Sequence, residues 1–96
     1  MILSLDIETR SNVDLAKSGV YKYCEDESFE ILMMSYAFDD EEVEVIELVN
    51  NQQLPSRIKE ALLNDNIIKY AFNANFERVC LSKYLHYLFV RLNLKS

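Results

Sequence analysis

Ile2-Leu3-Ser4-Leu5-Asp6-Ile7-Glu8-Thr9 opens the chain with an apolar run that ends in two carboxylates one residue apart. In a strand, residues at i and i+2 point to the same face, so Asp6 and Glu8 are expected side by side. Like charges at that separation repel, and a shared hard divalent cation such as Mg²⁺ or Mn²⁺ removes the repulsion. The chemical reading is half of a metal site. The plainer reading is a solvated strand end with Thr9 starting a loop, and the tripeptide alone does not choose between them.

Composition sets the limits. Ninety-six residues make one small domain, 1–96, and half of them are hydrophobic with no low-complexity stretch, as in a globular chain. Gly19 is the single glycine, which excludes a Gly-rich phosphate loop or a dinucleotide fingerprint. No signal-peptide pattern and no apolar run of membrane-spanning length appear, so a cytoplasmic location without a membrane partner is expected. Cys24 and Cys80 form no Cys-x-x-Cys pair, and two reduced thiols are expected rather than a zinc site. A net charge of −6 argues against long-range attraction to nucleic acid, yet an active site built to hold divalent cations must itself be acidic. Much of the excess lies in Glu25-Asp26-Glu27 and in Asp39 to Glu44, which read as solvated turns.

The pattern along the chain passes from strand-like to helix-like. Ile2 to Ile7 is a first strand, and Thr9 to Glu27 a polar stretch broken by Gly19 and anchored by Val20, Tyr21 and Tyr23. Phe29 to Phe38 and the alternating Val43 to Leu48 are expected to form a hairpin across the acidic turn. Pro55 and Ser56 open a short helix with Ile58, Ala61 and Leu62 on one face, ended by Asn64-Asp65-Asn66. Ile67 to Phe72 is a fourth strand apolar enough to lie inside a sheet. A second helix follows Asn73-Ala74-Asn75, with Phe76, Cys80, Tyr84 and Leu88 as its expected buried stripe.

The order β-β-β-α-β-α predicts an α/β fold, a mixed sheet with helices packed on it. Ligands in such sheets gather at the carboxyl ends of parallel strands. If the first and fourth strands are parallel neighbours, Glu77 approaches Asp6 and Glu8, and three carboxylates converge.

These segments resemble a known family. Asp6-Ile7-Glu8-Thr9 is similar to the first motif of the proofreading 3′-5′ exonucleases, which have a ribonuclease H-like fold and cut DNA or RNA with two metal ions. Asn73-Ala74-Asn75-Phe76-Glu77 resembles the second motif. Together with Arg10-Ser11, Ser18-Gly19-Val20-Tyr21-Lys22-Tyr23, and Phe72 and Arg78 at either end of the second motif, they resemble the N-terminal exonuclease region of bacteriophage-type family A DNA polymerases, from Met1 to about Tyr84. The resemblance implies proofreading hydrolysis of single-stranded DNA 3′ ends with Mg²⁺ or Mn²⁺. It makes Asp6, Glu8 and Glu77 both catalytic residues and metal ligands. It gives Thr9 a contact to the terminal nucleotide, with Arg10, Asn73 and Phe76 also on the substrate side.

Two departures accompany the resemblance. The second-motif acid is usually Asp, and Glu77 is one methylene longer. The family's third motif, a Tyr or His a few residues before another Asp, has no counterpart, because no acid follows Glu77. His86 lacks that Asp and reads as a partly exposed helix residue. The fold is therefore expected to be truncated before its last strand and helix, with one side of the sheet uncovered. In the tail, Leu88, Val90, Leu92 and Leu94 alternate with Phe89, Arg91, Asn93 and Lys95, which suits a substitute edge strand, a helix continuation or a sticky end. An exposed apolar strand invites pairing, so a homodimer or a polymerase-like partner chain is the expected association.

Tyr21, Tyr23, Phe72 and Phe76 could stack nucleobases, and core packing accounts for aromatic residues there equally well. Arg10, Lys17, Lys22 and Arg78 could touch phosphates, with Arg10 and Arg78 the favoured pair. Three function classes follow: an exonuclease region, a catalytically silent truncated remnant that binds protein or DNA, and an acidic α/β interaction module. The last requires three matching segments to coincide by chance.

Overall fold

The computed structural model describes residues 1–50, 52–85 and 92–96. Eight elements run β1 (Ile2–Arg10), α1 (Leu15–Glu25), β2 (Glu30–Phe38), β3 (Glu44–Glu47), α2 (Ser56–Leu63), β4 (Ile68–Ala71), α3 (Ala74–Tyr84) and β5 (Leu94–Lys95). The strands form one mixed sheet in the order β3-β2-β1-β4-β5. The expected hairpin is present, with β2 antiparallel to both β3 and β1, while β4 runs parallel to β1 and β5 parallel to β4. β2 is thus the one reversed strand.

Strict alternation on β1 sets the layers. Leu3, Leu5 and Ile7 are buried, whereas Ile2, Ser4, Asp6 and Glu8 are exposed. Buried residues of all three helices, among them Cys24, Ile58, Leu62, Cys80 and Leu81, join Leu3, Leu5 and Ile7 in one core. The helices therefore cover one face. On the other, Ile2, Val45, Ile68 and Tyr70 remain exposed, and among the described residues nothing covers them. Among the described residues the uncovered side expected from the sequence is present.

Three expectations are corrected. The polar stretch Thr9 to Glu27 contains α1, which bends at Gly19, whose φ of 84° and ψ of 166° lie outside helical space. Asp14 caps its start, its side chain accepting from the Lys17 amide at 3.2 Å. The buried line of α3 is Ala74, Glu77, Cys80 and Leu81, while Phe76 and Tyr84 are only half-buried and Leu88 lies outside the described residues. The order is thus β-α-β-β-α-β-α-β, and a short fifth strand is present at Leu94–Lys95, supplied by the tail as its alternation allowed. Residues 88–91 of that tail and His86 lie outside the described residues.

The acidic turn is more than a solvated loop. Asp39, at a left-handed φ of 48°, accepts from the Ile2 amide through its carboxylate and donates its own amide to the Ile2 carbonyl, both at 2.8 Å. It fastens the end of β2 to the start of β1. Among the described residues no helix is long and apolar enough to cross a membrane.

Candidate active site

Asp6 and Glu8 lie toward the carboxyl end of β1, the middle strand of five, and both project on the uncovered face. Across β2 they face Ser35 and Met33. The Asp6 carboxylate accepts from the Ile7 amide through Oδ1 at 3.0 Å, a contact local to the strand. Just beyond Glu8 the ladder slips: Glu8 pairs with Met33 but Thr9 with Ile31, so Leu32 is an extra residue on β2. Bulges of this kind recur beside active sites, where they end or re-aim a pairing.

β4 is parallel to β1, with Leu5 opposite Ala71, as the convergence reading required. Its end leads through Phe72 and Asn73 into α3. Glu77 stands in the first turn of that helix and is 3% exposed, its carboxylate accepting from the Asn73 amide at 3.1 Å. Burial raises its proton affinity above that of an ordinary glutamate, against the pull of the backbone amides, and the nearby Asp6 charge adds to the rise. Asp6 and Glu77 therefore feel each other. Glu77 is nonetheless turned back onto its own helix end, and among the described residues no three acidic, His or Cys side chains stand together as a group able to hold a metal ion. The donor types suit a hard divalent cation, and Asp6 with Glu8 supply the exposed half of such a site.

The expected substrate-side residues are spread over both faces. Arg10 is exposed, 3.4 Å from Glu30 in a solvent-screened pair. Asn73 is the N-cap residue of α3, yet its side chain makes no capping hydrogen bond. The Thr9 hydroxyl is 2.9 Å from the Tyr23 hydroxyl, toward α1. Phe76 packs on Tyr23 with ring centres 6.0 Å apart, and Tyr23 also meets Phe29 edge-on at 5.8 Å. Arg78 donates to the Leu92 and Leu94 carbonyls at 3.1 and 3.0 Å, so its guanidinium holds β5 in place.

Sequence reasoning missed two groups. Cys24 and Cys80, remote in sequence, touch across α1 and α3 with their sulfurs 3.1 Å apart; the hydrogen bond to Cys24 and burial hold the proton on Cys80. Lys69 is fully buried in β4, its ammonium donating to the Asn64 carbonyl at 2.7 Å. No spacing rule marks the cysteine contact. The Asn64-Asp65-Asn66 turn just before β4 was the available signal for Lys69.

No protein-family model matches the chain, and no solved structure matches it. It is similar to a DNA polymerase of Bacillus phage SP02, 51% identical over 84 residues. The match covers 88% of this chain and 13% of that polymerase, so the chain corresponds to a small part of its relative's length. A likeness of that strength over nearly the whole chain supports a common origin with a segment of a phage DNA polymerase.

Proposed function

We propose that this chain is the front part of a 3′-5′ exonuclease region of a phage-type DNA polymerase, acting on single-stranded DNA 3′ ends. The observation that carries the reading is the placement of Asp6 and Glu8 on one open face at the carboxyl end of β1, beside a parallel strand that leads into Glu77. The sheet order, with β2 alone reversed, agrees with a ribonuclease H-like arrangement, and the likeness to a phage DNA polymerase over 88% of the chain supports the reading. Asp6 and Glu8 would hold a Mg²⁺ or Mn²⁺ ion, and Glu77 would join them by swinging off the Asn73 amide. Such an ion lowers the pKa of bound water and stabilises charge on the attacked phosphate. The remaining acid of the site comes, in this reading, from a longer polymerase, a second copy or a partner chain.

The second reading, a catalytically silent remnant that binds DNA or protein, is favoured by the unassembled third ligand: among the described residues Glu77 is turned onto the Asn73 amide and no three ligating side chains stand together. Calorimetric titration with Mn²⁺ of the wild type and Asp6→Ala, with digestion of a labelled single-stranded DNA on the same samples, separates the two. Binding that Asp6→Ala abolishes, with loss of nucleotides from the 3′ end, is the expected result. Metal binding without digestion means the remnant, and no binding sinks the metal site.

A further inference from the structure

The four aromatic residues that sequence alone left undivided between core packing and base stacking separate cleanly in the structure. Tyr23 and Phe76 pack on each other and on the core. Tyr21 is exposed on α1. Phe72 is 91% exposed, the most exposed of the large apolar side chains in the described residues, and it takes part in no aromatic pair. A phenylalanine left in water forgoes the gain of burial, so packing gives no reason for it.

Its position supplies one. The last paired residues of the parallel strands are Leu5 and Ala71, so Asp6 and Phe72 are each the next residue of the chain past that pair. Ile68 and Tyr70 alternate onto the uncovered face together with Ile2 and Ser4, and Phe72 follows them in the turn that leads from β4 into α3. Neighbouring strands lie about 5 Å apart, so a nucleotide whose phosphate meets the carboxylates has its base within reach of the next strand. Cationic help is scarce there. Arg10 shares the face but is engaged with Glu30, and Arg78 is committed to the tail carbonyls. Beyond an ion at Asp6 and Glu8 few cationic side chains stand ready to hold the phosphates, and stacking adds to the hold on any base because every base has a π-face.

We propose that Phe72 is the stacking platform for the terminal nucleobase of a single-stranded DNA end whose phosphate lies at Asp6 and Glu8. This rests on the exonuclease reading. Asn73, next in sequence and with no capping bond from its side chain, flanks the platform with an amide able to meet a base edge.

The test uses an oligonucleotide ending in 2-aminopurine, whose fluorescence is quenched on stacking, titrated in Ca²⁺ with wild type, Phe72→Ala, Phe72→Leu, Phe72→Trp and Asp6→Ala. Wild type and Phe72→Trp are expected to bind and quench. Phe72→Ala and Phe72→Leu are expected to bind on the order of tenfold more weakly without quenching, with unchanged circular dichroism since the ring packs on nothing. If Phe72→Ala binds and quenches like wild type while Asp6→Ala loses binding, the platform is overturned and the exonuclease reading stands. Phe72→Leu matching Phe72→Trp overturns stacking in favour of a simple apolar contact. A wild type that binds no single strand overturns both.

Discussion

Lys69 lies on the core side of a short interior strand, a position where sequence patterning assigns an apolar residue. Its four-carbon stem is buried, and the Asn64 carbonyl at the end of α2 satisfies the ammonium. Burial lowers its proton affinity, with Asp65 opposing. Because the folded pKa lies below the unfolded one, the unfolded chain binds more protons between the two, and stability rises with pH through that window. Thermal melts of wild type and Lys69→Met from neutral to alkaline pH should show the wild type gaining on the variant as pH climbs toward the ordinary lysine value of 10.5. Parallel curves would mean that the ammonium is not desolvated. The exposed carboxylates were legible for the opposite reason: Asp6 and Glu8 sit in a strand whose period-two pattern is unbroken, so their face could be read directly.

Among the elements, β1, β2, β4 and α2 fall close to where periodicity placed them. α1 was hidden because Gly19 divides it into two short runs, each too brief to show a helical stripe. The bend needs a backbone conformation essentially reserved for glycine, although a Cβ would meet no atom within 4 Å. Gly19→Ala should therefore destabilise by about 1–3 kcal/mol in denaturant titration, through backbone strain alone. α3 was misread because one position of its buried line is a charged Glu77, which a search for apolar residues skips. β5 is only two residues long and depends on Arg78. Arg78→Ala should release it, seen as faster hydrogen exchange at the Leu94 amide with little change in the protection of β1. Unchanged exchange would show that the pairing with β4 suffices.

At the scale of the molecule, a two-layer frame places its helices on one side and the Asp6 and Glu8 pair on the other, while Glu77 is buried on α3. The sequence predicted an uncovered side, but neither the face on which the helices pack nor the contact between α1 and α3, which rests on the meeting of Cys24 with Cys80 and of Tyr23 with Phe76. Since the frame folds around the helical side, a cation at Asp6 and Glu8 should add stability by mass action without reshaping the core. Saturating Mn²⁺ at about 100 times its Kd is expected to add roughly 2.7 kcal/mol, a rise in melting temperature that Asp6→Ala removes. An equal rise in the variant would place the ion elsewhere.

The extra residue on β2, Leu32, gives this arrangement a tolerance of its own. It acts as a phase shifter between two stretches of ladder: Asp6 and Glu8 keep step with Ser35 and Met33, while Thr9 and Arg10 keep step with Ile31 and Glu30. Insertions or substitutions in the loop between α1 and β2 can be absorbed on the far side of that slip. The pairing that holds the two carboxylates is thereby separated from that loop, so the two stretches of ladder are free to change at different rates.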